Sequence, residues 1–431
     1  MDTIRLTAAQ AAVKFIKNQF NEDGVPFLAG CWAIFGHGNV VGLGEALYAE
    51  RKGFPTYRGH CEQTMAHTAI AYGKQMRRRR AMMVTSSIGP GATNMVTAAA
   101  LAHTNRLPVL FMPGDIFASR APDPVLQQVE DFGDGTVSAN DCFRPVSRYY
   151  DRIARPEHLL TALPRAFRVM TDPAECGPVT LSFCQDVQGE AYDYPASFFE
   201  PKVWRIRRAM PDVAELAEAA EAIKSAKNPL VIAGGGIHYA LATDTLKSFI
   251  EKHNLPVAET QAGKSSLPWD HPLNFGPIGV TGSTSANALA EKADMVIGIG
   301  TRFQDFTTGS WSIFKNPARR LLALNVQAYD TSKHNAIALV ADAKIGMEQL
   351  SGALGNHTAA SPDASLRDAW FTDAAKVTDA PSSDDNVLPT DMQVVGAVQR
   401  ATKPNTVIMG AAGTMPGEMH KLFRAPAVGS Y

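Results

Sequence analysis

The chain has 431 residues, of which 45% are hydrophobic and 19% are charged, and its formal net charge is −1. This length allows two or three domains with buried cores, and the near-neutral charge excludes a strong general attraction to nucleic acids or anionic membranes. The five cysteines are an odd number without a CxxC pair, which argues against a disulfide framework and favours a reducing, cytoplasmic setting. No run of about 18 apolar residues occurs, so no membrane-spanning helix is predicted.

Residues 1–190 are predicted to form one α/β domain, because short apolar segments alternate with segments of helical periodicity. A strand within Val25–Phe35 leads into the loop Gly36-His37-Gly38-Asn39, and a strand over Pro108–Met112 leads into Pro113-Gly114-Asp115. Ligands collect at the carboxyl ends of parallel strands. These glycine-containing turns are therefore candidate binding loops, and a loop with a short helix is predicted over residues 123–131.

The most informative stretch is residues 57–94, YRGHCEQTMAHTAIAYGKQMRRRRAMMVTSSIGPGATN. Glu62 stands at the start of a predicted helix, which Arg77–Arg80 are expected to close. A buried strand follows over Ala81–Val84, and the turn Gly89-Pro90-Gly91 opens an alanine-rich helix over residues 92–103. The basic run is interpreted as a solvated helix end, because no aromatic platform or wider basic patch accompanies it.

The middle of the chain repeats the α/β pattern after a predicted extended linker, rich in Pro and aromatic residues, at 191–209. Residues 210–350 alternate strands and helices, which indicates a doubly wound parallel sheet. Gly234-Gly235-Gly236 follows a predicted strand at Pro229–Ala233. A dinucleotide site and a tight turn both remain possible there, although the full GxGxxG frame and a ribose-binding acid are missing.

Periodicity is lost over residues 351–388, which are predicted to be a linker containing a short helix at Leu366–Lys376. Order is expected to resume over residues 389–431, with a helix at Thr390–Ala401 and a strand at Thr406–Met409. A lone βα unit cannot bury its sheet, since a domain needs on the order of 100 residues. Residues 389–431 are therefore expected to be the start of a third domain that this sequence truncates.

A glutamate at a helix start, followed by a strand and TSSIGPGATN, resembles the pyrimidine-binding domain of thiamine-diphosphate enzymes of the acetolactate-synthase type. Further blocks carry the resemblance in order along the chain: IFGHGNVVGLGEAL, RGHCEQTMAH, PDPVLQQVEDF, QDVQGEAYDYP, ETQAGKSS and GTRFQDFTTGS. They are most similar to a branch that hydrolyses a C–C bond of a trihydroxylated cyclohexane-1,2-dione in myo-inositol breakdown. The resemblance implies a pyrimidine domain, a Rossmann-like middle domain and an incomplete diphosphate-binding domain, all built on doubly wound parallel sheets.

The same resemblance implies thiamine diphosphate and Mg²⁺ as cofactors. Glu62 matches the carboxyl group that hydrogen-bonds a ring nitrogen of the aminopyrimidine and makes its exocyclic nitrogen basic. Ser87 and Gly89-Pro90-Gly91 are expected to line the cofactor pocket. On pattern alone, Glu62 would be interpreted as an exposed helix cap and the glycine turn as a phosphate-binding helix start.

Substrate contacts are assigned to His37 and Asn39, and to Gln127 or Gln128, which resembles an active-site glutamine of the family. The alternatives are a loop whose glycines only form a turn and a solvated helix face. The family binds Mg²⁺ through a GDG turn and a downstream Asn. Those letters occur at Gly133-Asp134-Gly135, but on a first-domain loop, so no metal ligand is predicted in this chain and the site is expected beyond it.

The leading hypothesis is therefore a C–C bond hydrolase for a small cyclic diketone, assembled as a homodimer or homotetramer. In the resembling family the pyrimidine domain of one subunit faces the diphosphate domain of another. An acetolactate-synthase-like carboligase and a truncated non-catalytic remnant are the alternatives. A serine hydrolase is not supported, because no GxSxG motif occurs, and neither nucleic acid nor a membrane is predicted as a partner.

Overall fold

A computed structural model describes residues 2–122, 125–129, 133–380 and 386–431. The chain divides into two compact units, Met1–Arg207 and Arg208–Tyr431. Each unit contains a parallel sheet with helices packed against it, so the predicted α/β class with doubly wound parallel sheets is confirmed. No helix among the described residues is long and apolar enough to cross a membrane.

Unit 1 is organised around one parallel sheet. The strands of unit 1, in and outside this sheet, are β1 Thr3–Thr7, β2 Gln19–Asn21, β3 Leu28–Ala33, β4 Thr56–Arg58, β5 Ala81–Thr85, β6 Val109–Phe111, β7 Gly114–Asp115, β8 Tyr149–Ile153, β9 Pro178–Cys184, β10 Ala191–Pro195 and β11 Lys202–Trp204. Its α-helices are α1 Ala8–Lys17, α2 Gly42–Glu50, α3 Glu62–Gln75, α4 Pro90–Thr93, α5 Val96–Asn105, α6 Leu159–Thr171 and α7 Gln185–Gly189. The main sheet has the order β4-β3-β5-β6-β9-β7, with β8 also paired to β9, and all of these pairings are parallel.

The core of unit 1 lies on both faces of this sheet. Strands β5 and β9 are buried along their whole length, as expected for a parallel sheet covered on both sides by helices. Phe167 of α6 is fully buried, and its ring centroid lies 5.8 Å from that of Phe15 and 5.7 Å from that of Trp204. Phe167 therefore packs α6 against α1 and against the segment that carries β11.

Replacing Phe167 with Ala is expected to lower the free energy of unfolding of unit 1 by about 3–5 kcal/mol, because a cavity would replace a fully buried ring. Chemical denaturation of the wild type and the variant would measure the loss. Val203→Ala is a control, since the Val203 side chain is 53% exposed and its truncation should change stability by less than about 0.5 kcal/mol. Equal stability losses in the two variants would contradict the packing role of Phe167.

The segment predicted to be an extended linker supplies two strands to unit 1. Strand β10 pairs antiparallel with β1, from Thr3↔Pro195 to Thr7↔Ala191, and β11 pairs in parallel with β2. Trp204 is only 9% exposed and donates a hydrogen bond from Nε1 to Gln19 Oε1 at 2.9 Å. The segment is extended, but its hydrogen bonds and buried aromatic residues attach it to unit 1.

Two helix boundaries in unit 1 differ from the prediction. Helix α3 ends at Gln75, and Arg77 and Arg78 have φ values of 52° and 64°. The basic run therefore forms the turn after the helix and does not close its last turn. The predicted alanine-rich helix is interrupted between α4 and α5, at Asn94 and Met95.

Unit 2 contains a second parallel sheet. Its strands are β12 Pro229–Ala233, β13 Val257–Glu259, β14 Asn274–Pro277, β15 Met295–Ile299, β16 Arg320–Asn325 and β17 Ile337–Val340, in the order β14-β13-β12-β15-β16-β17. Its α-helices are α8 Val213–Lys224, α9 Gly236–Tyr239, α10 Thr243–His253, α11 Thr284–Lys292, α12 Asp305–Thr308, α13 Ala328–Thr331, α14 Ala343–Leu354, α15 Ala364–Thr378, α16 Asp391–Ala401 and α17 Thr414–Leu422. The predicted βαβ alternation is confirmed in this unit.

The glycine triplet after β12 packs directly against the turn after β15. A Cβ on Gly234 would lie 2.4 Å from Gly300 O, and a Cβ on Gly236 would lie 2.6 Å from Gly300 Cα. Close approach of two backbones therefore accounts for glycine at both positions. This packing agrees with the interpretation of the triplet as a tight turn.

The C-terminal part of unit 2 contains the three helices α15, α16 and α17. The helix predicted at Leu366–Lys376 is present as α15, and residues 381–385 of the predicted linker lie outside the described residues. The strand predicted at Thr406–Met409 is wrong, because this segment is irregular. Val407 and Met409 are 53% and 87% exposed, and no strand among the described residues pairs with them, whereas a strand requires a hydrogen-bonded neighbour.

His420 of α17 is buried at 1% exposure, and its Nδ1 lies 2.8 Å from Thr281 Oγ1. Burial, together with the nearby charge of Lys264, lowers the pKa of His420 to about 3. The unfolded chain takes up this proton near pH 6.5 and the folded chain does not, so we expect stability to fall as pH drops below about 6.5, by at most about 1.4 kcal/mol per pH unit. Unfolding free energies measured from pH 7 to pH 4 should fall less steeply for His420→Asn than for the wild type, and parallel curves would contradict this prediction.

Candidate active site

The loops that carry the predicted site residues meet at one edge of the main sheet of unit 1. Strands β3, β4, β5 and β6 run parallel, so their carboxyl ends lie on the same side. The loop after β3 contacts the loop after β5, because Ile88 N donates a hydrogen bond to His37 O at 2.9 Å. The turn after β6 joins them, since Gly114 N donates to Ser86 O at 3.2 Å. This edge is where ligands bind in open α/β sheets.

A cleft of about 450 Å³ opens to solvent at this edge. It is lined by Glu62, Ser87, Pro90, Gly91, Thr93, Asn94 and Gln127. Residues predicted from three separate parts of the sequence are therefore brought together around one space. Thr93 and Asn94 are additional lining residues that the sequence analysis did not single out, although both belong to the TSSIGPGATN block.

Glu62 is the first residue of α3, and Cys61 before it has the extended backbone of a helix cap, with φ −149° and ψ 134°. The carboxylate is half-buried, and its Oε2 accepts a hydrogen bond from Asn94 Nδ2 at 2.9 Å. A Cβ on Gly91 would lie 3.4 Å from Glu62 Oε1. Oε2 is thus hydrogen-bonded to Asn94, and Oε1 lies beside Gly91, which has no side chain.

Glycine is required at two positions of the turn after β5. Gly89 has φ +64°, and a Cβ there would lie 2.0 Å from the backbone oxygen of Gln127. A Cβ on Gly91 would lie 2.4 Å from Ser87 Oγ. The bare backbone of this turn therefore allows the segment carrying Gln127 to pack against it and leaves space beside Glu62.

Asn39 is buried at 1% exposure, and its side chain is used inside the protein. Its Oδ1 accepts a hydrogen bond from Gly36 N at 3.0 Å, and its Nδ2 donates to Ile34 O at 3.1 Å and to Thr85 Oγ1 at 3.2 Å. Asn39, which was predicted to contact substrate, therefore shapes the loop after β3 and is not among the residues that line the cleft. The cause is the tight turn of this loop, which directs the amide towards β5.

The two glutamines of the predicted loop differ in position. Gln127 lines the cleft and has φ +64°, whereas Gln128 Oε1 is buried and has no hydrogen-bond partner among the described residues. Within the loop and helix predicted over residues 123–131, residues 125–129 form a turn, and residues 123–124 and 130–131 lie outside the described part. His37 lies on the loop after β3, at the same edge of the sheet. It is half-buried, and its buried Nε2 has no hydrogen-bond partner among the described residues.

Cys61 and Asp115 lie beside this edge in different environments. Hydrogen bonds from the backbone and side chain of Thr64 and from the backbone of Gln63 lower the pKa of the Cys61 thiol. Asp115 is 1% exposed and forms an ion pair with Arg152 Nε at 2.8 Å. Asp115 thus anchors the turn after β6 and is not part of the cleft.

No group of three or more His, Cys, Asp or Glu side chains that could hold a metal ion occurs in the described parts of the chain. Gly133-Asp134-Gly135 lies in a loop, and the Asp134 carboxylate accepts hydrogen bonds from the backbone and side chain of Thr136. These bonds lower the pKa of Asp134. Asp134 therefore stabilises its own turn through these hydrogen bonds.

Family models match both units. The model of the thiamine pyrophosphate enzyme N-terminal TPP binding domain matches residues 31–134, and the model of the thiamine pyrophosphate enzyme central domain matches residues 216–350. The first match includes the whole cleft described above. The second covers the parallel sheet of unit 2.

Similar proteins are named 3D-(3,5/4)-trihydroxycyclohexane-1,2-dione hydrolase. The protein of Geobacillus thermodenitrificans is 45% identical over 98% of this chain and 70% of its own length. The proteins of Bacillus cereus strain AH820 and Bacillus thuringiensis strain Al Hakam are each 43% identical over 100% of this chain and 71% of their own length. The chain therefore belongs to the family of thiamine pyrophosphate enzymes, whose cofactors are thiamine diphosphate and a divalent metal such as Mg²⁺.

Proposed function

We propose that this chain is part of a thiamine-diphosphate- and Mg²⁺-dependent hydrolase that opens the ring of 3D-(3,5/4)-trihydroxycyclohexane-1,2-dione to 5-deoxyglucuronate in myo-inositol degradation. The names of the relatives, at 43–45% identity, support this substrate. The structural observation that carries the proposal is the Glu62 carboxylate at the first residue of α3, beside the glycine-lined cleft. A cytoplasmic location is part of the proposal.

The residues of the cleft fit the pyrimidine part of this cofactor. The cleft has a volume of about 450 Å³, which can take a flat heterocycle. The absence of a side chain on Gly91 keeps the part of the cleft next to Glu62 Oε1, a recess, open. Ser87, Pro90 and Gly91 would hold the ring against the turn after β5. Glu62 would hold a proton between Oε1 and a ring nitrogen, which makes the exocyclic nitrogen a base. When bound, thiamine diphosphate supplies a nucleophilic carbon and an electron sink for the bond that breaks.

Substrate orientation is assigned to the polar groups around the open side of the cleft. Gln127 presents an amide that can donate to a ketone oxygen and accept from a hydroxyl group, and it lines the same space as Glu62. His37 lies on the adjoining loop and is proposed as a second contact to the substrate. Asn39 and Gln128 are not included, because the first is hydrogen-bonded internally and the second has its Oε1 buried.

We also propose a homodimer or homotetramer, in which the Glu62 cleft of one subunit faces the diphosphate-binding part of another. The cleft is open to solvent in the single chain, and a site that stabilises a carbanion needs to exclude bulk water, apart from the one molecule that the hydrolysis consumes. Exposed apolar side chains near the loop after β3 support a covering partner: Val40 is 50% exposed and Val41 is 76% exposed. Light scattering of the full-length protein would measure the assembly.

Product analysis of the full-length protein tests the function. With thiamine diphosphate, Mg²⁺ and the cyclic dione, mass spectrometry should detect the ring-opened acid, with one water added per substrate. Formation of acetolactate from pyruvate, without turnover of the dione, would instead indicate a carboligase. Absence of Mg²⁺-dependent cofactor binding in calorimetry would favour a non-catalytic remnant.

A further inference from the structure

The side chain of Asn94 forms a direct link to Glu62, although 32 residues separate them in sequence. Nδ2 of Asn94 lies 2.9 Å from Glu62 Oε2 and 3.6 Å from Cys61 Sγ. Both acceptors belong to the start of α3. The two N–H groups of one amide can therefore serve both neighbours, which fixes the position of Glu62 relative to the glycine turn.

The local fold explains why an asparagine can reach this position. Asn94 is the C-cap residue that follows α4, and it lies in the two-residue interruption before α5. Its backbone N–H donates to Pro90 O at 3.1 Å, so the main chain of Asn94 is held by the same turn that contains Gly91. The break in the helix leaves the side chain exposed at the rim of the cleft and close to the carboxylate.

We propose that Asn94 is a positioning residue that fixes the orientation of the Glu62 carboxylate, with Oε1 presented to the cofactor ring. This inference rests on the proposed function of Glu62. An amide N–H donates to a carboxylate but gains less from a neutral carboxyl group, and hydrogen bonds to charged groups are the stronger ones. With Oε2 engaged by Asn94, only Oε1 remains beside the recess at Gly91.

A purely structural role predicts a different outcome. Asn94 is exposed, and no other side-chain hydrogen bond of Asn94 is seen in the described part of the chain. Its substitution should therefore leave the thermal midpoint nearly unchanged, as is usual for surface positions. The effect should appear in the orientation of the Glu62 carboxylate, which a stability measurement does not report.

The hydrogen bond can be tested in this chain without cofactor, by NMR of the side-chain amide groups. The Asn94 signal, assigned by its disappearance in Asn94→Ala, should move in Glu62→Gln, because the acceptor of its hydrogen bond changes from a charged carboxylate to a neutral amide. The amide of Asn105 is the internal control, because it donates to Leu101 O at 3.0 Å and lies at the far end of α5, about 15 Å along the helix. An Asn94 signal that ignores Glu62→Gln would overturn the proposal.

The functional consequence is tested by exchange of the cofactor C2 proton in the full-length holoenzyme. Asn94→Ala should slow exchange about tenfold. Asn94→Asp should slow it further, because a second negative charge beside Glu62 repels the carboxylate from its position. Asn94→Gln, which keeps the donors, should recover part of the rate, and Asn105→Ala should match the wild type.

The outcomes separate this inference from the proposed function. If Glu62→Gln abolishes exchange while Asn94→Ala keeps the wild-type rate, the positioning role is wrong and the function stands. If Glu62→Gln leaves exchange unchanged, the proposed function of Glu62 is wrong, and the NMR experiment still decides whether the Asn94 bond exists. Slower exchange in Asn94→Ala, together with a moved Asn94 signal in Glu62→Gln, supports the positioning role.

Discussion

Glu62→Gln in the full-length protein is expected to slow exchange of the cofactor C2 proton by roughly 10²–10⁴-fold, the usual contribution of a positioned acid–base group. The amide keeps the shape of the side chain and its contact with Gly91, but it cannot take up or hold a proton at Oε1. Cofactor affinity should change much less than the exchange rate, because the recess itself is unaltered. Exchange measured by NMR in deuterated buffer, with calorimetry of cofactor binding, separates these two quantities.

The control for this substitution is Glu218→Gln, which removes one negative charge from an exposed face of α8 in unit 2. It should leave both exchange and affinity at wild-type values. A Glu62→Gln variant that exchanges the proton as fast as this control would refute the assignment of Glu62. A variant that loses affinity and exchange in equal measure would indicate that Glu62 binds the ring without activating it.

Gly89→Ala is expected to weaken binding of thiamine diphosphate at least tenfold and to lower the stability of unit 1. At φ +64° an alanine is strained, which costs about 1–3 kcal/mol, and its Cβ would lie 2.0 Å from Gln127 O. Because the clash involves backbone atoms, the Gln127 segment or the glycine turn itself must move. Calorimetric titration with thiamine diphosphate and Mg²⁺, on the full-length protein, would measure the loss.

Gly24→Ala provides a matched control, since Gly24 has φ +75° and no atom within 4 Å of an added Cβ. It reproduces the backbone strain without the clash and lies far from the loops of the cleft in sequence. Its stability should fall, while its cofactor affinity should remain at the wild-type value. Equal affinities for Gly89→Ala and Gly24→Ala would contradict the role given to the contact between Gly89 and Gln127.

Much of unit 1 and part of its cleft follow from local sequence patterns. Glu62 begins α3 as predicted, and the apolar runs at Ala81–Thr85 and Pro178–Cys184 form strands buried along their whole length. Since parallel strands share one carboxyl edge, the loops that follow them could be assigned to one site before any coordinates. In the structure, Glu62, Ser87 and Gly91 do line one cleft at this edge.

Contacts that depend on long-range geometry could not be predicted in this way. The bond between Asn94 and Glu62 depends on where the helix breaks after α4, and the inward direction of the Asn39 amide depends on a tight turn. Residues 191–204 look like a linker in sequence, because strand pairing with β1 and β2 leaves no local signal. The reverse occurs at Thr406–Met409, where a β-type composition predicted a strand but no neighbouring strand is described and the segment is irregular.

The ladder between β1 and β10 brings residue Thr3 beside Pro195, so the beginning and the end of this stretch of chain are adjacent. Genetic recombination that moves this stretch as one module would have to extend it to Arg207, so that β11 stays paired with β2. A transplant with those bounds would carry every residue that lines the Glu62 cleft.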